Sequence, residues 1–195
     1  MILRDKILTK LKKRNVRVFT IPDIIELASH DGVRKELVRM TKDNLIFRLM
    51  SGVYCVSQNS NEYPTVEEVV DALTRNYNWK IWPAEEYALY LLGLTLEAPK
   101  VYTYICSGPH RQYEFNGNII KFKHAVVSKT KPFSYHTNLI IQGLYELGKE
   151  NITEEALCIV ATKFSKEELE VVLEESKSSA LWIQECISKI YQIKA

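Results

Sequence analysis

Apolar and polar positions along the chain follow two rhythms, one helical and one alternating, and the switches between them mark the elements. Leu3, Ile7, Leu8 and Leu11 recur at helical spacing while Lys6, Lys10 and Lys13 fall on the other side, which predicts a first helix from about Ile2 to Lys13. In VFTIPDIIELA, Thr20 stands as an N-cap with Pro22 in the first turn. Asp23 follows as an acidic variant of the capping box, which predicts a second, short helix. Ser29 to Gly32 reads as a turn, with Asp31 capping a third helix in which Val33, Leu37 and Met40 share one side. This helix closes at Asp43 and Asn44, since asparagine tolerates the left-handed backbone that ends many helices. Alternation takes over at Leu45 to Leu49 and at Val53 to Val56, two strands joined through Met50, Ser51 and Gly52 in a hairpin. Helix, short helix, turn, helix and hairpin is the order of a winged helix-turn-helix.

The polar stretch Ser57 to Pro64 marks a linker, which divides the chain into a winged domain, residues 1–58, and a second domain, residues 59–195. Thr65 opens a helix to Tyr77 with Val66, Val69, Val70 and Leu73 inward and Glu68 completing a capping box. Pro83 is expected to open another helix through Ala84, Tyr87, Ala88, Leu91 and Leu92, closed by Gly93. Strand patterns at Lys100 to Cys106 and Ile119 to His124, with an Asn-Gly turn at Asn116 and Gly117, predict a small antiparallel sheet over about 100–124. From His136 onward the rhythm is helical to the end, with Thr153, Ser165 and Ser178 as caps and loops short enough for a bundle. The fold class expected is α+β, mainly helical.

Composition narrows the class. Hydrophobic residues make up 46% of 195 positions, enough for one or two cores. No apolar run has the length of a membrane span, and MILRDKILTKLKKR is charged from its fourth residue, so a cytoplasmic protein without a signal peptide or membrane contact is expected. Cys55, Cys106, Cys158 and Cys186 lie far apart, as do the four histidines, with no CxxC or HExxH spacing; neither a metal nor a cofactor is expected, and the thiols read as reduced and mostly buried. Charge is polarised. Residues 1–58 carry 12 basic and 6 acidic side chains, net +6; residues 59–144 carry 8 of each; residues 145–195 carry 6 basic and 10 acidic, net −4. A basic first domain is the footprint of a phosphate-binding module.

Candidate chemistry gathers in that domain. On the third helix Arg34, Lys35, Val38, Arg39 and Lys42 spread over the side opposite the packing stripe, a face suited to the major groove, with Val38 set to touch a thymine methyl. A solvated surface has the same composition; the wing that follows favours the groove. Arg48 beside the hairpin turn and Ser51 at its tip stand within reach of a phosphate or the minor groove. Lys12, Lys13, Arg14 and Arg17 form a dense cluster placed to hold phosphates, although cations at a helix end also simply favour its dipole. Elsewhere Trp79 and Trp82 read as core aromatics rather than base-stacking platforms, and His110 and Arg111 lie in a loop with no partner for acid–base work. Lys121, Lys123, Lys129 and Lys131 read as the wet side of a strand region or an extension of the basic surface. Glu167, Glu168, Glu170, Glu174 and Glu175 crowd one helix, a solvated face or a surface for a basic partner.

Several stretches carry a family resemblance. VFTIPDII followed by GVRKELVRMTKDNLIFRLMSGVY resembles the N-terminal winged helix of the AbiEi family, antitoxins of AbiE-type (type IV) bacterial toxin–antitoxin systems. WPAEEYALYLLGLTLEAPKVYTYICSG, then Arg111 and NIIKFKH, is similar to that family's middle, and FSKEEL and ALWI to its C-terminal helices. The resemblance implies a repressor that binds repeats in its own promoter as double-stranded DNA and counteracts a cognate nucleotidyltransferase-like toxin. Two positions depart from the family: Ser51 stands where a basic residue is usual before the wing glycine, and Asn44 where glycine is common. The rival classes are a nucleic-acid-processing enzyme targeted by a winged helix and a protein-interaction module that no longer binds DNA. No Walker loop, metal-ligand cluster, nucleophile elbow or diagnostic carboxylate pair supports the enzyme. Monomer and dimer both remain open.

Overall fold

The apolar stripe of the first helix and that of the third meet. In the computed structural model, which describes residues 2–57, 63–125 and 133–194, helix α1 (Leu3–Lys13) buries Ile7 and Leu11 and helix α2 (His30–Lys42) buries Val33, Leu37 and Met40. These side chains close one core with Phe19, Ile24 and Ile46. Most of the Ser57 to Pro64 stretch, together with Lys129 and Lys131, lies outside the described residues.

Between the helices the chain departs from the expected pattern. Val18–Thr20 forms a short strand, β1, and the expected second helix is two successive single 3-10 turns, Ile21–Asp23 and Ile25–Leu27. The Thr20 and Asp23 pairing is present: the Thr20 N–H donates to the Asp23 carboxylate at 2.8 Å. The cap of α2 is Ser29, whose hydroxyl accepts from the Gly32 N–H at 3.2 Å, while Asp31 sits inside the first turn, where its charge meets the helix dipole. At the other end Asn44 is left-handed (φ 56°) and Leu45 N–H donates to the Met40 carbonyl, so asparagine serves the reversal usually given to glycine. Strands β2 (Ile46–Met50) and β3 (Val53–Val56) make the wing, and the sheet order β1-β3-β2 is that of a winged helix.

The first compact unit runs through Trp79, beyond residue 58. Helix α3 (Val66–Thr74) belongs to it: Glu68, which completes the Thr65 capping box, also accepts from Nε and Nη2 along one edge of the Arg17 guanidinium, at 3.0 and 2.6 Å. The helix also packs on β1 and β3 with Val66, Val69, Val70 and Leu73 buried; hydrophobic patterning showed that face turned inward but not that it covers the winged unit. Arg75 supplies a second tie, donating to Asp23 at 3.2 Å and to the Val18 carbonyl at 3.4 Å.

The second unit, Lys80–Ala195, carries a four-stranded sheet in the order β4-β5-β7-β6. Its strands are β4 (Ile81–Ala84), β5 (Val101–Cys106), β6 (Arg111–Phe115) and β7 (Asn118–His124). The sheet is mixed, not purely antiparallel: the expected turn at Asn116 and Gly117, both at positive φ, joins β7 to β6, a strand that sequence reading missed, and β5 pairs with β7 in parallel. Trp82 and Pro83 lie in β4, an edge strand where proline removes no ladder donor. Helix α4 (Glu85–Leu92) therefore starts later than expected, at Glu85, whose φ of 56° is the one positive value among described residues outside asparagine and glycine. Such backbone costs roughly 1–3 kcal/mol, and the Glu85 carboxylate offsets it by accepting from the Thr103 hydroxyl at 2.9 Å and pairing with Lys123. Burial raises the Glu85 pKa, but the hydrogen bonds from Lys123 and Thr103 outweigh it and hold the carboxyl below its usual range.

Tyr87 of α4 packs across Tyr102 and Tyr104, with ring centroids 4.9 and 5.3 Å away, and covers the aromatic face of the sheet. Helices α5 (Tyr135–Leu147), α6 (Glu154–Thr162), α7 (Lys166–Glu175) and α8 (Leu181–Lys194) form one apolar cluster with Ala88 and Leu92. Thr153 and Ser165 cap α6 and α7 as read; Ser178 instead ends a 3-10 turn, Ser176–Ser178. The whole is α+β and mainly helical.

Candidate nucleic-acid interface

At 100° per residue, Arg34, Lys35, Val38, Arg39 and Lys42 fall within an arc of about 140° on α2, and all five are exposed. Val33, Glu36, Leu37 and Met40 occupy the opposite arc and are buried. The packing side therefore fixes the helix about its axis and leaves four cations and one valine facing outward. Glu36, whose side chain is 10% exposed, lies 3.4 Å from the Arg39 guanidinium and 3.7 Å from Arg4, which also donates to Asp43 at 3.0 Å. Arg39 keeps most of its surface, at 69% exposure, so the pair orients it without hiding it. Sequence reading missed Glu36 and Arg4 as supports; the three-residue spacing of Glu36 and Arg39 was the available signal.

The wing tip is specific in its geometry. Register runs Ile46↔Val56, Phe47↔Cys55 and Arg48↔Tyr54, then shifts to Met50↔Val53, leaving Leu49 bulged. A bulge re-aims its neighbours, and Arg48 bends toward the turn: its Nε donates to the Met50 carbonyl at 3.2 Å and its Nη2 to the Ser51 hydroxyl at 3.3 Å. Ser51, read from the sequence as a wing-tip contact in its own right, thus holds the Arg48 guanidinium at the tip. Gly52 takes φ 78° there.

The cluster at the end of α1 divides. Lys12 and Lys13 are exposed and form no ion pair among the described residues. Arg14 lies 3.5 Å from the buried Asp23 carboxylate and is 40% exposed, so part of it stays on the surface. Arg17 does not join the set: its bidentate hold on Glu68 uses the edge that a phosphate would take. The same contact, with the Thr65 N–H, keeps the Glu68 carboxyl below its usual range. A face of this composition can donate to phosphate oxygens and to the acceptor edges of guanine.

The second unit offers less. Lys123 is committed to Glu85. Arg111 is the first residue of β6 rather than part of a loop, and His110 Nδ1 accepts from the His124 N–H at 3.3 Å, a structural use. Of the acidic residues on α7, Glu168 caps the helix, Glu170 accepts from the Tyr191 hydroxyl, Glu174 pairs with Lys177 and Glu175 accepts from the Ser134 N–H and the Thr137 hydroxyl. Cys158 is exposed and the other three cysteines are buried; all four are free. No group of three or more His, Cys, Asp or Glu is placed to hold a metal among the described residues, and no helix there is long and apolar enough to cross a membrane.

The curated proteins contain no match to the chain. A family profile matches residues 5–172, which reach from α1 into α7 and include the cationic candidates of the first unit, from Lys12 to Arg48. The chain belongs to that family, described as a family of unknown function (DUF6088).

Proposed function

We propose that the protein is a cytoplasmic DNA-binding transcriptional regulator that reads the major groove with α2 and holds flanking phosphates with its wing and the end of α1. The observation that carries this reading is the outward face of Arg34, Lys35, Val38, Arg39 and Lys42 on a helix locked by its opposite side and followed directly by a wing bearing Arg48. Arg34 and Lys35, nearest the start of α2, read base edges; Arg39 and Lys42 contact bases or the groove wall; Arg48, Lys12, Lys13 and Arg14 take phosphates. The test is binding of the full chain to the DNA upstream of its own gene and to a scrambled duplex over a salt series. The expected result is a preference for the former with a log–log salt slope of about −0.9 per phosphate. Arg48→Ala should flatten that slope by about one contact on both duplexes. Absence of binding at low salt would sink the reading in favour of a protein-interaction module.

The AbiEi resemblance extends the proposal: the chain represses its own operon at promoter repeats and acts as the antitoxin to a nucleotidyltransferase-like toxin through its second unit. Co-expression with a toxin of that class encoded beside its gene is expected to restore growth. Growth arrest that persists despite soluble expression of both proteins would remove the antitoxin role and leave the regulator.

A further inference from the structure

Val38 is out of place by every local rule. It is 58% exposed, and among the described residues of the first unit it is the one large apolar side chain exposed on an α-helix; Ile2, Ile25, Tyr63 and Tyr77 lie in turns, termini or loops. A β-branched residue at mid-helix is also a poor helix former, so neither packing nor propensity explains it. Its neighbours one turn away on either side, Arg34 and Lys42, and the adjacent Lys35 and Arg39 are all cationic and exposed. The result is a pair of methyl groups set in the middle of a polyanion-seeking face. Local violations of this kind mark functional positions.

Within the reading that α2 enters the major groove, the one apolar feature on the groove floor is the C5 methyl of a pyrimidine. We infer that Val38 is a specificity determinant that reads a pyrimidine C5 methyl, so the protein selects a step at which this methyl lies beside the purine edge contacted by Arg34. Two natural bases present that group, thymine and 5-methylcytosine. The cations supply affinity for any duplex, and Val38 supplies a term that depends on one methyl group.

The experiment uses the full chain and the upstream duplex, with a scrambled duplex as reference. Each thymine in turn is replaced by uracil, which keeps base pairing and removes only the methyl. At the sensitive position, cytosine and 5-methylcytosine are then compared. The expected result is one position per bound site at which uracil weakens the wild type about fourfold, the worth of one buried methyl. Val38→Ser, with unchanged thermal unfolding, should bind the thymine and uracil duplexes equally. A gain for 5-methylcytosine over cytosine supports the inference and admits both methyl sources; a thymine effect without that gain supports it for thymine alone. Preferential binding that no uracil weakens, or a full thymine preference retained by Val38→Ser, overturns it while the regulator reading stands. Equal binding to the upstream and scrambled duplexes overturns that reading first, and the inference with it.

Discussion

Replacing Arg34 and Lys35 together with alanine is expected to lower affinity for the preferred duplex by roughly a hundredfold, because each well-aligned base contact is worth about 1–3 kcal/mol. Affinity for the scrambled duplex should fall far less, since α1 and the wing keep their phosphate contacts. Both side chains point away from the buried arc of Val33, Glu36, Leu37 and Met40, so thermal stability should change by no more than about 0.5 kcal/mol. The comparison is made by fluorescence anisotropy on both duplexes at one salt concentration. Equal losses on the two would reassign these residues to phosphate contacts; full retained affinity would remove α2 as the reading element. Alanine at Lys12 and Lys13 provides the contrast, expected to weaken both duplexes alike.

Asp23→Ala should be the most destabilising single change in the first unit. The carboxylate has no exposed surface, accepts from the Thr20 N–H and hydroxyl, and faces the guanidinium groups of Arg75 and Arg14 at 3.2 and 3.5 Å. Removing it takes the cap from the 3-10 turn and leaves Arg75, 18% exposed, with Asp71 as its remaining carboxylate. Breaking a buried pair from one side costs about 3–5 kcal/mol. For a domain of this size that lowers the melting temperature by 12 °C or more at roughly 4–8 °C per kcal/mol. Asp23→Asn, which keeps an acceptor for Thr20, should fall between the two. Circular dichroism melts of the three proteins decide it, and a loss below about 1 kcal/mol for the alanine variant would show that the cluster is effectively solvated.

Where local chemistry decides, the sequence was readable. The apolar stripes of α1 and α2, the Thr65–Glu68 and Ser165–Glu168 caps and the Asn116-Gly117 turn each follow from residues within a few positions of one another. What stayed hidden depends on distant partners. Three residues, Val18 to Thr20, are too few to show a period, and they form a strand because β3 offers an edge. Pro83 resembles a helix opener until β5 pairs with it. Parallel pairing of β5 with β7 leaves no trace in either strand's alternation. At the candidate interface the cationic face was legible, but the division of labour within it was not. Arg17 and Arg48 look alike in sequence; Glu68 withdraws one from the surface while Ser51 holds the other at the wing tip.

On the proposed DNA-binding reading, attachment of α3 to the winged unit sets how indiscriminately its surface holds polyanions. Residues 1–58 alone carry net +6, whereas residues 59–79 add one arginine and four acids and bring the whole unit to +3. Two of the acids are already paired: Glu68 neutralises Arg17 and Asp71 neutralises Arg75. On that reading the helix works as insulation, silencing Arg17, which would attract any phosphate chain, and leaving Arg34, Lys35, Arg39 and Lys42 live. A fragment cut at residue 58 is stripped of that insulation, with Arg17 bare and Asp23 deprived of Arg75, and becomes a stickier, less stable and less discriminating object than the same domain carried through Trp79.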